Sequence, residues 1–314
     1  MAVLRVHLFR DFSIELDGAG LSGLENRKFK ELLAFLLVYH ARPHRREALM
    51  NLLWKDASAE KSRRNMRQLL WQLQHYFDFW FVDPAQRLLL VEGEWLRVNP
   101  QAAIWCDVSH FLAVYRRVQG QEGYELTHQL AQELRETVNL YRGGLLEGCY
   151  QDWCVIEREN LQNVYMMMLD KLMDYCEAYG YLENGIAYGV QSLRHDPERE
   201  RTYRRLMRLY ALLDDRAGVM RLYKQCVAIL QREYGVAPSE RTQQLYRAIR
   251  HNELIPAGPA RPRPVGGAAL STIDLSRLFV QVTRIAGELE NARSRISTDL
   301  ESISHFLMAG EQLS

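Results

Sequence analysis

Between residues 172 and 220 the chain repeats itself at an offset of 34 positions. Leu172 and Met173 recur as Leu206 and Met207, Cys176 as Tyr210, Tyr179 as Leu213, and Ile186 as Met220. A period of this length holds two antiparallel helices that cannot bury their apolar face alone, so successive units stack and share a core. Asp196-Pro197 punctuates the register, with proline expected in the first turn of the next helix. From Asp107 onward nearly all of the chain has helical periodicity.

The period is that of tetratricopeptide-type repeats, and the repeat segment is bounded on both sides. On the C-terminal side, residues 256–269 hold four of the nine prolines and no large aromatic residue, a composition suited to a semi-extended linker. On the N-terminal side the rhythm changes near residue 100. Leu4–Phe9 and Phe12–Gly18 alternate as short strands closed by a turn. Three helical stretches follow at about 26–40, 45–54 and 59–78, and then Arg87–Glu92 and Glu94–Val98 flank Gly93 as a hairpin. Strands, three helices and a hairpin in that order make a winged helix, in which a recognition helix precedes a β wing. The expected fold is therefore mainly α with a small β component. A winged helix-turn-helix occupies 1–100, an α-helical tetratricopeptide-like domain 101–255, a Pro/Gly linker 256–269, and an amphipathic, coiled-coil-like helix 270–314. A length of 314 residues is in keeping with several domains.

Charge narrows the function. The whole chain carries +1, which argues against nucleic acid only as an average. Residues 1–100 hold fifteen Lys/Arg and twelve Asp/Glu, residues 101–255 nineteen and twenty-one, and the remainder six and six. The positive excess of the first segment concentrates in residues 61–68, four cations without an acid. There Met66, Leu70, Leu73 and Phe77 form an apolar stripe, so Arg63, Arg64, Arg67, Gln68, Trp71 and Gln72 are expected to point outward. With Lys61 they are the candidate DNA contacts, since Arg, Lys and Gln on an exposed helix neutralise phosphates and read base edges in a major groove. Trp71 is expected either to stack on nucleic acid or to pack at a domain interface. Arg87 and Arg97, on or beside the hairpin, are candidates for backbone phosphate or the minor groove.

With these residues in place, residues 1–255 resemble the SARP type of bacterial transcriptional activator. The resemblance rests on residues 27–37, on residues 46–54, and on residues 63–73, the last similar to an OmpR-type winged helix. The second domain is similar to the bacterial transcriptional activator domain. It matches at Asp107-Val-Ser-His-Phe, Leu140-Tyr-Arg-Gly-Gly-Leu-Leu-Glu, Asp152-Trp, Glu157-Arg-Glu, His195-Asp-Pro and Tyr234-Gly-Val-Ala-Pro-Ser. The resemblance implies an activator that binds direct repeats of double-stranded DNA near promoters and helps recruit RNA polymerase. It also implies a repeat domain that self-associates or contacts polymerase. Trp71 stands where the family usually has a small or polar residue, so base specificity does not carry over.

The tail has its own pattern. Leu275, Val282, Leu289, Ile296 and Ile303 form one heptad set, and Leu278, Ile285, Ala292, Asp299 and Phe306 the other, with Asp299 breaking the second. Such a helix either pairs with a second copy, making a homo-oligomer, or docks on the repeats.

Other function classes find less in the residues. No catalytic motif appears, His44 and His195 stand apart from any constellation, and no phosphate-binding GxxxxGK[ST] run exists, so neither an enzyme nor a cofactor or metal site is expected. No apolar run is long enough to span a membrane, and residues 1–9 lack the core of a secretion signal. The five cysteines form no CxxC and are expected as buried, reduced thiols of a cytoplasmic protein. Two alternatives remain. One is a protein-interaction scaffold whose winged helix does not bind DNA. The other is a small-molecule effector held by the aromatic face of Trp153, Tyr165, Tyr175 and Tyr179, positions that equally suit a repeat core.

Overall fold

The computed structural model describes residues 3–21, 26–78 and 84–251. Leu4 and Val6 alternate inward in strand β1 (Leu4–His7), which pairs antiparallel with β2 (Ser13–Leu16). Asp17 and Gly18 turn β2 into the short β3 (Ala19–Gly20) with positive φ of 49° and 85°, a geometry that glycine adopts without steric cost. Asn26 caps α1 (Arg27–Val38) by accepting from the amides of Lys28 and Phe29. This helix is buried on several faces, which its apolar run of Leu32, Leu33, Ala34, Leu36 and Leu37 requires. After β4 (His44–Arg45) come α2 (Arg46–Leu53) and α3 (Ala59–Asp78), then the hairpin β5 (Leu89–Glu92) and β6 (Trp95–Val98) turning at Gly93. The second sheet has the order β4-β6-β5.

The expected change of rhythm near residue 100 coincides with the turn at 100–102, yet packing does not stop there. The strand β7 (Ile104–Cys106) returns to pair parallel with β1, giving a first sheet of order β3-β2-β1-β7. Asp107 opens α4 (Asp107–Val118), and its carboxylate accepts from the amides of Leu8 and Phe9. The strand beyond β1 continues along residues 144–147: the Arg10 amide donates to Gly144 and the Leu146 amide to Leu8. One continuous apolar core therefore runs from β1 through α1–α3 and α4 into α5 (His128–Val138) and α6 (Asp152–Tyr179).

The repeats follow as α6 with α7 (Leu182–His195), α8 (Glu200–Leu212) with α9 (Arg216–Tyr234), and α10 (Glu240–Arg250). Left-handed Gly180 and Gly235 end α6 and α9. Leu172/Leu206 and Met173/Met207 are buried equivalents, as the offset implies. Tyr179 and Leu213 instead lie exposed where their helices end, and Met220 is exposed on α9, so the similarity at those positions reflects place in the repeat and not burial. Pro197 lies in the turn before α8, outside its first helical turn. The linker 256–269 and the heptads of 270–314 lie outside the described residues.

Candidate nucleic-acid interface

Two of the three helices of the winged helix exist to hold the third. α3 buries Ser62, Met66, Leu69, Leu70, Leu73 and Phe77 against them, the expected stripe widened by Ser62 and Leu69. A helix so anchored has a fixed rotation, which turns Lys61, Arg63, Arg64, Arg67, Gln68 and Trp71 to solvent. Gln72 is half-buried and accepts from the side-chain amide of Asn26, the residue that caps α1. It therefore sits at the margin of the exposed face.

Electrostatics separates this face from the other basic residues nearby. Arg27 and Lys28 both bond the buried carboxylate of Glu31, each at 2.8 Å. Lys61, Arg63, Arg64 and Arg67 make no ion pair among the described residues. Their charge is left to solvent, or to an anion brought from outside. Trp71, 62% exposed, stacks on His75 with ring centres 5.1 Å apart and planes 5° from parallel. Its plane is thereby set, and its exposure shows that it is not packed at a domain interface among the described residues.

The wing is more self-contained. Arg97 pairs with Glu92 at 3.0 Å across the hairpin, and Arg87 pairs with Asp78 at 3.6 Å. Arg45, at the root of the sheet, lies over the half-exposed ring of Trp95 at 5.2 Å. Sequence reasoning missed this pair, because only the β4–β6 register brings Arg45 opposite Trp95.

Elsewhere the polar residues are structural. His44 is buried with Nε2 3.0 Å from the Tyr39 carbonyl, and burial lowers its pKa. His195 packs edge-on against Tyr141 and Tyr165. Trp153, Tyr165 and Tyr175 belong to the core and only Tyr179 is exposed, so these aromatics fill space between helices. All five cysteines are buried and free, and Cys106 is pushed up to about 12 by burial. Among the described residues no group of three His, Cys, Asp or Glu side chains is placed to hold a metal ion. No described helix is long and apolar enough to cross a membrane.

Comparison with known proteins bears on both halves. Residues 106–250 match the family model of the bacterial transcriptional activator domain. Among solved structures, Mycobacterium tuberculosis EmbR in complex with a low affinity phosphopeptide is similar, with a TM-score of 0.61 and 19% identity. The match covers 81% of this chain and 66% of that one, so this chain spans about two thirds of the length of EmbR in that structure. At that identity the likeness shows a shared fold. No curated protein sequence matches the chain.

Proposed function

We propose that the chain is a SARP-type transcriptional regulator that activates transcription by binding promoter DNA through α3, a reading supported by the match of residues 106–250 to the bacterial transcriptional activator domain. In this reading Lys61, Arg63, Arg64 and Arg67 neutralise phosphates or reach guanine edges, and Gln68 and Gln72 address adenine. Trp71 stacks against the nucleic acid from its seat on His75. Arg97 exchanges Glu92 for a backbone phosphate at the wing. Two copies on direct repeats, associated through the repeat domain or residues 270–314, then help recruit RNA polymerase. Tethering the copies raises occupancy without new DNA contacts.

The observation that carries this reading is the unneutralised basic face of α3, held outward by a fully buried stripe. A mobility-shift titration over salt concentration tests it. Replacing Arg64 or Arg67 by Ala is expected to lower the slope of log affinity against log salt by roughly one for each phosphate no longer neutralised. Binding that ignores salt, or an unchanged slope in both variants, overturns it.

A further inference from the structure

A second concentration of positive charge lies far from α3 in sequence, inside a segment whose net charge is −2. A groove of about 940 Å³ runs between α6, α8 and α10, and six arginines line it: Arg201, Arg204, Arg205, Arg208, Arg241 and Arg247. Only three carboxylates, Glu122, Asp174 and Glu177, share the lining.

The arginines divide by what already holds them. Arg205 bonds Asp170 at 3.0 Å and Asp174 at 2.7 Å, and Arg208 bonds Glu177 at 2.6 Å, so these two tie α8 to α6. Arg204 donates to the Thr242 hydroxyl at 2.9 Å, joining α8 to α10. The others are poorly neutralised. Arg201 is 56% exposed and 3.8 Å from Asp170, a carboxylate already bonded by Arg199 and Arg205. Arg241 is exposed and makes no ion pair among the described residues, and Arg247 stands 3.9 Å from the exposed Glu240. Burial lowers the pKa of Arg204, and the neighbouring Arg241 and Arg201 lower it further, as expected of crowded cations.

We propose that this groove binds an extended acidic peptide segment of a partner protein, with Arg201, Arg241 and Arg247 clamping its carboxylates. Guanidinium forks match carboxylates in bidentate geometry, and stacked helical repeats offer concave surfaces of this kind to extended chains. The volume reaches the upper end of ligand pockets, more than a lone small anion fills. Reading the base edges of a DNA duplex needs an element that protrudes into its groove, and this surface is recessed.

Fluorescence anisotropy of the full chain with a labelled peptide of alternating glutamate and glycine tests the proposal. Peptides of the same length with glutamine or lysine in place of glutamate serve as controls. Saturable binding of the glutamate peptide alone is expected. The exposed-site double variant R201E/R241E should weaken it by about tenfold or more, the scale of one charge-assisted hydrogen bond removed. R201Q/R241Q should weaken it in the same direction while retaining the wild-type circular dichroism, which separates loss of the site from loss of the fold. Replacing Arg64 and Arg67 by Ala should leave peptide binding unchanged. Equal binding of the glutamine peptide, insensitivity to R201E/R241E, or loss of duplex DNA binding in R201Q/R241Q while α3 variants keep it would each overturn the proposal. The last result would mean that the groove serves nucleic acid.

Discussion

Asp107 joins two stretches of chain about a hundred residues apart. Its buried carboxylate accepts from the amides of Leu8 at 2.9 Å, Phe9 at 3.1 Å and its neighbour Val108 at 2.7 Å. Burial pushes its pKa up, while these donors and nearby His7 pull it back. Asp107→Ala leaves the buried amides without their acceptor, and a loss of on the order of 3 kcal/mol is expected from thermal or denaturant unfolding. An unchanged midpoint would show that the amides find other partners. A similar logic explains Gly144. Arg158 reaches over it to the carbonyls of Leu145, Leu146 and Cys149, and a Cβ at Gly144 would lie 2.8 Å from the Arg158 side chain. Asp107, the Gly143-Gly144 pair and the Glu157-Arg158-Glu159 run all stand out in the sequence as motif residues. What each bonds is not legible there, because the partners lie on other elements.

Helices show which signals survive without a structure. α3 is legible because four cations without an acid sit beside an apolar stripe at steps of four, three and four. On α8, arginines at 201, 204, 205 and 208 also share one face, by spacing of three, one and three. That pattern does not read as a site in the sequence, since several of its counter-charges lie on α6, some thirty residues upstream. The docking of α10 depends on one such long-range carboxylate. Glu200 on α8 accepts from the Ser239 amide at 3.0 Å, from the Ser239 hydroxyl at 2.7 Å and from the Thr242 hydroxyl. Burial by itself would raise its pKa, but these donors together with Arg204 hold it below the ordinary 4.5. A carboxylate depressed in the folded state stabilises that state above its unfolded pKa and loses the contribution as pH falls through its folded pKa. The thermal midpoint should therefore decline as pH falls below about 4.5, with α10 affected first. Glu200→Gln should flatten that decline, and a variant with the wild-type acid profile would remove Glu200 from the account.

For the whole described molecule, the continuous core is the main consequence of tertiary structure. β7 pairs with β1, Phe35 of α1 and Tyr39 just after it pack edge-on against Trp153 of α6, and the Tyr39 hydroxyl donates to Glu157 at 2.9 Å. A fragment ending at residue 100 loses β7, Asp107 and Trp153 together, and exposes Leu4, Val6 and Phe9. Such a fragment is expected to lack a cooperative thermal transition by circular dichroism, whereas residues 1–255 keep one. A fragment as stable as the longer chain would show that the shared core contributes little. The sequence by itself did not determine the short strands β3, β4 and β7, but it determined the kind and order of the main elements: period-two strands, helical stripes, a thirty-four-residue repeat and a local cluster of positive charge. These are properties of near neighbours, set by backbone geometry and by the need to bury apolar side chains. Only the tertiary structure decided which charges are spent. Arg97, Arg205 and Arg208 are held by carboxylates distant along the chain or across a hairpin, while Arg64, Arg67 and Arg241 are not. Ion pairing depends on distances of a few ångströms between elements, and no pattern along a single chain encodes those distances directly.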